Sequence, residues 1–319
     1  MPRTRSLLIA GAIAALVLAM VVRYPRADSP TELVTPAHRD DPALKPAESA
    51  APRARDLPSV VPKVVPVRKG PDYAAQYRHA DDLLAFLEVL APAAADGDVE
   101  ALYYLAVASR RCTREYSTLF GPPGKEKDLE AALETEYWTK YHEQLARRIH
   151  AQCSRFKAAA DNAFTEWDNL MQAAAEAGSG PAKAVLAFEL QQGMIRMHDL
   201  GARDEQKTAI RTLAKEAIRT KDPEVLYQLA FVDTITGISG TPADVGSIWM
   251  LAACQRGLAC GSDTEQFQFF CRWDPACQPS ETMVDLFRRR EGPHFDDMQR
   301  RANELNEQLD ADRFDEIIP

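Results

Sequence analysis

Two stretches of ten residues, 124 positions apart, encode the same local structure. Gly97-Asp98-Val99-Glu100-Ala101-Leu102-Tyr103-Tyr104-Leu105-Ala106 and Lys221-Asp222-Pro223-Glu224-Val225-Leu226-Tyr227-Gln228-Leu229-Ala230 agree at six of ten positions. In each, an aspartate stands where its side-chain oxygen accepts from the free N–H groups of a helix start. An acidic residue two positions later faces the positive helix end, and Pro223 suits the first helical position. The shared Leu, Tyr, Leu and Ala then form a packing face. From residue 72 onward Ala, Leu, Glu and Arg dominate, with few β-branched runs and no credible strand, so the expected fold class is all-α.

Two further windows fit the same frame. Ala173-Ala174-Ala175-Glu176-Ala177-Gly178 is followed by Pro181-Ala182 and Leu186-Ala187-Phe188, and a second helix end runs from Trp249 through Ala252-Ala253 to Gly257. A helix stopped at a glycine or short polar turn and followed by another helix is the unit of an α-solenoid, and alanines at the crossings allow close approach. At these residues the chain resembles the Sel1-like branch of the tetratricopeptide-type repeats, whose unit ends a helix in Ala-Ala-x-x-Gly before a second helix carrying Ala and Leu. Ala94-Ala95 with Gly97, Ala101 and Leu105 also match, whereas the Gly-x-Gly-Val loop of such units is not present. The resemblance implies a helical binding scaffold and brings no catalytic residues.

The N-terminus places this domain. Leu7 to Val22 carries no charge or strongly polar group, and nine of its sixteen residues are Leu, Ile or Val. Such a run partitions favourably into a bilayer, although it spans only about 24 Å of a ~30 Å core. No small-residue cleavage pattern follows it, so residues 1–23 read as an uncleaved signal anchor, a single transmembrane helix; a cleaved signal peptide is the competing reading. Arg3 and Arg5 precede the run and favour the N-terminus inside. The four asparagines lie in no glycosylation sequon, which favours a bacterial envelope. The expected location is the bacterial inner membrane, single-pass, with the bulk of the chain periplasmic.

Residues 24–71 hold ten of the 21 prolines and almost no aromatic residue. Such a segment buries too little apolar area to offset its backbone entropy and is expected to be a disordered tether. Val60 to Val67, around Pro62 and Pro66, reads as stiff spacer or as a docking strip. The folded domain is expected over 72–319, with an insertion at about 113–161 and a C-terminal capping helix at about 294–315. In the insertion, Tyr137, Trp138 and Tyr141 share one helical face, as packing anchors or as a partner-binding patch. In the last helix, Phe295, Met298, Ala302, Leu305 and Leu309 form an apolar stripe that fits a cap better than a coiled-coil seam.

The six cysteines, Cys112, Cys153, Cys254, Cys260, Cys271 and Cys277, are even in number and agree with an oxidising compartment. Zinc is the alternative, but the close pairs are Cys-x5-Cys and no histidine lies in the cluster. Of fifteen connectivities, Cys112 with Cys153 is favoured because the two bracket the insertion. Local pairing of Cys254 with Cys260 and of Cys271 with Cys277 resembles the bridges at hairpin tips of cysteine-rich Sel1-like proteins.

No catalytic constellation assembles. His142 and His150 are out of zinc-hydrolase order, Gly178-Ser179-Gly180 lacks the ending of a phosphate loop, and Gly261-Ser262-Asp263 reads as a helix cap. The net charge of -9 argues against a nucleic-acid partner. No cofactor or metal is expected. The sequence thus points to a membrane-anchored extracytoplasmic helical-repeat scaffold that binds a protein or peptide partner in the cell envelope. An enzyme acting on a cell-wall polymer, its site assembled from distant helices, is the alternative.

Overall fold

The computed structural model describes residues 71–122, 125–134, 140–158, 167–195, 200–232, 242–271, 276–278 and 280–319. The anchor from Leu7 to Val22, the linker before Pro71, and both Tyr137 and Trp138 lie outside the described residues. Among those described, all regular structure is helical.

The chain begins with α1 (Tyr73–His79), α2 (Leu83–Ala95) and α3 (Val99–Arg110), and α3 runs into a π turn at Arg111–Glu115. The insertion supplies α4 (Tyr116–Phe120), α5 (Leu129–Leu133) and the long α6 (Lys140–Ala158). Next come α7 (Trp167–Glu176), α8 (Gly180–Ile195), α9 (Leu200–Ile218) and α10 (Pro223–Leu229). The last part holds α11 (Pro242–Gln255), α12 (Glu265–Cys271), α13 (Met283–Glu291), α14 (Phe295–Asp310) and α15 (Phe314–Ile317). Packing follows chain order: α2 on α3, α3 on α7, α7 on α8, α8 on α9 and α10, α10 on α11, α11 on α14.

Aspartates start these helices. Asp72, Asp82, Asp98, Asp128 and Asp222 each accept from backbone N–H groups of the first turn, so the matched windows begin alike. Asp98 accepts from Glu100 and Ala101, both at 3.0 Å, and its second oxygen accepts from the Tyr73 hydroxyl at 3.1 Å. Asp98→Ala is therefore expected to cost about 1–2 kcal/mol, a fall in melting temperature of roughly 2–8 °C, while Asp98→Asn keeps most of the stability. Equal losses in the two variants by thermal melting would contradict the capping role.

The helix stops are also shared. Gly97 and Gly178 have φ of +92° and +105°, a conformation in which an L side chain is strained. It lets Asp98 N and Ser179 N donate back to Ala93 O at 3.0 Å and Ala174 O at 2.9 Å. Gly257, at φ +102°, ends α11 in the same way through Leu258 N and Ala253 O. At the corresponding place before α10 the residue is Lys221, with φ +57°.

Two apolar cores result, one built from residues between Tyr73 and Val185, the other from Tyr141 and residues between Ala184 and Ile318. Helix α8 belongs to both. Ala182 and Val185 face one core, Ala184 and Ala187 the other, and the small side chains let α8 be covered on both sides. The stripe from Phe295 to Leu309 is buried on α11. Its helix ends at Asp310, short of the expected 315, because Asp312 adopts φ +58° and α15 starts afresh.

Helix α6 joins the two cores. Leu145, Ala146, Ile149 and Cys153 pack into the first, while the Tyr141 ring meets Phe267 edge-on in the second at 5.7 Å. Tyr141 is 4% exposed and serves as a packing anchor, with no open ring face for a partner. The disulfides are Cys112–Cys153, Cys254–Cys260 and Cys271–Cys277. The first ties the π turn to α6; the other two bracket α12.

Candidate binding groove

The path of the helices returns α12 to the end of α3, and a buried charge sits at that meeting point. Arg111, the first residue of the π turn, is 1% exposed. Its guanidinium lies 2.5 Å from a Glu265 oxygen on α12 and donates to the Tyr77 hydroxyl on α1 at 3.3 Å. The same group is 5.9 Å from the centre of the Tyr77 ring. Burial alone depresses the basicity of such a group, but the carboxylates of Glu265 and Glu115 and the Tyr77 oxygen outweigh it, so the pKa is raised and Arg111 is held charged. Three segments far apart in sequence are thereby fixed around one cation.

Aromatic rings extend from this point. Tyr77 packs against Tyr104 at 5.8 Å between centroids, and Tyr104 against Tyr103 edge-on at 5.0 Å. Burial pushes the Tyr103 phenol well above its usual pKa, and the next largest cause is the negative charge of Glu224, on the first turn of α10. The charges of Glu224 and Asp222, in the second matched window, thus reach Tyr103 in the first.

Glu224 accepts from the Gln228 side-chain amide at 3.1 Å. Its pKa is pushed up to about 7, chiefly by burial and then by the like charges of Asp222 and Glu265, against the opposing effects of Gln228 and Arg78. Glu224, Tyr77 and Glu265 all remain only half-buried. The sign of the linkage follows. The folded pKa lies above the ordinary carboxyl value of 4.5, so the folded state holds the proton more tightly. Its stabilising effect is complete below 4.5 and lost as pH rises through about 7. Glu224→Gln is expected to flatten the fall in denaturation midpoint across that window and to make the protein more stable at the alkaline end. An unchanged pH profile in denaturant melts would contradict the burial of this carboxyl.

Two concavities lie elsewhere on the domain. One of about 550 Å³ lies between the α1–α2 turn and α6, where Arg148 donates to the Arg78 carbonyl and Gln152 to that of Ala80. Another of about 480 Å³, lined by Leu186, Leu190 and Leu213, is rimmed by the Lys183–Glu216 pair at 2.6 Å. Ser179 Oγ accepts from Ala182 N as a helix cap, and the His150 ring packs between Tyr116 and Phe120. Among the described residues no group of three or more His, Cys, Asp or Glu side chains is placed to hold a metal, and no helix is long and apolar enough to cross a membrane.

The cluster around Arg111 is made of residues that local sequence reading assigns to other tasks. Glu224 reads as a partner for the helix dipole, Tyr103 as packing, and Tyr77, Arg111 and Glu265 carry no motif. The one sequence signal was the match between the two windows, since the glutamate of the second acts on the tyrosine of the first through its charge. The chain matches no family model, and neither a curated protein nor a solved structure similar to it was found.

Proposed function

We propose that this chain is a membrane-anchored, extracytoplasmic scaffold whose stacked helix pairs form a Sel1-like solenoid and whose inner groove binds a protein or peptide partner. In this reading residues 1–23 hold it in a bacterial inner membrane, the proline-rich tether carries the domain into the periplasm, and the disulfides suit that compartment. The observation that supports the binding assignment is the cluster that joins distant segments of the chain, Arg111 held by Glu265 and Tyr77, and the Tyr77, Tyr104 and Tyr103 rings packed in sequence beside it. Tyrosine and arginine are among the residues enriched in interface hot spots.

The reading is tested by a photoreactive residue placed at Gln228 inside the groove and, in a second strain, at Val89, which is 67% exposed on α2. Crosslinking in intact cells is expected to trap a discrete partner from Gln228 and none from Val89. Equal labelling from both positions, or none from either, would count against a binding groove.

Glu224 also supports a second reading, an enzyme acting on a cell-wall polymer, because a carboxyl with a pKa of about 7 is suited to general acid or base work. Hydrolysis of a glycan usually needs two carboxyl groups, and Glu265 is committed to Arg111. Release of soluble fragments from purified cell wall, abolished by Glu224→Gln, would favour the enzyme over the scaffold.

A further inference from the structure

We infer that the concavity between the α1–α2 turn and α6 binds a sugar acid, a ligand that carries one carboxylate among several hydroxyls; the inference goes beyond the binding role proposed above and uses a different surface of the domain. The space measures about 550 Å³, and Arg78, His79, Asp81, Arg148, Ala151 and Gln152 are on its lining. That size falls within the roughly 300–1,000 Å³ of small-molecule sites. Its cations are not spent on the fold. On α6, Arg147 pairs with Glu130 and Glu143, and Arg155 pairs with Asp82. Arg148, between them, donates instead to the Arg78 carbonyl, and neither Arg148 nor Arg78 makes an ion pair among the described residues. Asp82 is committed to the start of α2 and to Arg155, which leaves Asp81 as the one acid on the lining among the described residues.

Two arginines against one aspartate leave the lining with a positive excess, in a chain whose net charge is -9. A monoanion balances that excess, and the planar forks of arginine match a carboxylate. A bare anion would meet the Asp81 carboxylate with nothing to give it, whereas a ligand with hydroxyls donates to it. A zwitterion such as a free amino acid also has donors for Asp81, but its zero net charge leaves the excess in place. Gln152 asks for the same kind of donor. It is 4% exposed, its amide nitrogen donates to the Ala80 carbonyl at 2.6 Å, and its oxygen is buried without a hydrogen-bond partner. A carbonyl only accepts, so the bond to Ala80 fixes which end of the amide is nitrogen, and the oxygen cannot be exchanged for a donor. A buried acceptor without a donor is costly. A hydroxyl supplies that donor and keeps its own lone pairs for an arginine or for the His79 imidazole, which pairs with hydroxyls in either tautomer.

The test is calorimetric titration of the full-length protein, in a detergent without sugar headgroups, with glucuronate, glucose, acetate, inorganic phosphate, a hexose phosphate and glycine at one ionic strength. Glucuronate is expected to bind roughly tenfold more tightly than glucose, which lacks the charge, and than acetate, which lacks the hydroxyls. Ala151→Glu sets a second carboxylate at an exposed position on the lining and should weaken glucuronate by roughly tenfold, while the neutral Ala151→Gln should not. Both changes lie on the solvent side of α6, so both variants should stay folded by circular dichroism. Arg148→Gln should give a loss like that of Ala151→Glu, and Arg148→Lys a smaller one, because it keeps the charge without the fork. Tighter binding of the hexose phosphate than of glucuronate would overturn the choice of a carboxylate. Phosphate or acetate binding as tightly as glucuronate would overturn the need for hydroxyls, and glycine doing so would make the site one for zwitterions. Glucuronate binding that Ala151→Glu leaves unchanged, or no glucuronate binding at all, would overturn the assignment of this cavity.

Discussion

Glu265→Gln is expected to destabilise the fold by about 2–4 kcal/mol, although the residue lies on a short helix and is about one-third exposed. The reason is what it leaves behind. Arg111 is 1% exposed and cannot follow its lost partner into water, and its Nε already lacks a hydrogen-bond partner. Removing one member of a buried pair costs several kcal/mol because the other charge stays desolvated; the exposure of Glu265 places the loss below the top of that range. Replacing both, as Arg111→Met with Glu265→Met, removes the two charges together and is expected to recover most of the stability. Urea denaturation of the two single variants and the double variant checks this. A double variant as unstable as the sum of the singles would show that the pair is not the contact joining α12 to α3.

Loss of the Cys112–Cys153 bridge is expected to be at least as damaging. Its cysteines are 41 positions apart, and closing a loop of that size removes chain entropy worth roughly 4 kcal/mol from the unfolded state. The bridge also fixes the π turn, and with it Arg111, on α6. Cys112→Ala with Cys153→Ala should therefore lower stability and loosen the groove together, reported by faster hydrogen exchange at α12 as well as at α6. By contrast, Cys254–Cys260 and Cys271–Cys277 each close a separation of only 6 and remove less entropy. Equal effects of all three bridges on stability would contradict a contribution set by loop length.

The contrast between these bridges and the groove shows what a single sequence makes legible. Helix starts at Asp98 and Asp222, helix stops at Gly97, Gly178 and Gly257, and the buried stripe from Phe295 to Leu309 depend on neighbours within a few residues. Periodicity and capping chemistry report them directly. The insertion is recognisable as a break between matched windows, but its task is not, because Tyr141 finds Phe267 only after α11 and α12 are in place. The groove is less legible still. Arg111 and Glu265 are 154 positions apart and Tyr103 and Glu224 lie on different windows, so no local spacing links them. Glu224 has two roles at once: a first-turn carboxylate that suits the helix dipole, and a half-buried acid among like charges. Only the first can be read from its neighbours in sequence.

Glu224→Gln is expected to stabilise the protein above neutral pH, because the native carboxyl must there carry its charge half-buried among like charges.

Hydrogen exchange of the full-length protein, alone and saturated with the partner recovered by crosslinking from Gln228, tests the binding role most directly. Slower exchange is expected in α3, α10 and α12, the helices that carry Tyr103, Glu224 and Glu265, with little change around Leu186 and Leu213. Protection centred on Leu186, Leu190 and Leu213, with α10 and α12 unaffected, would contradict it.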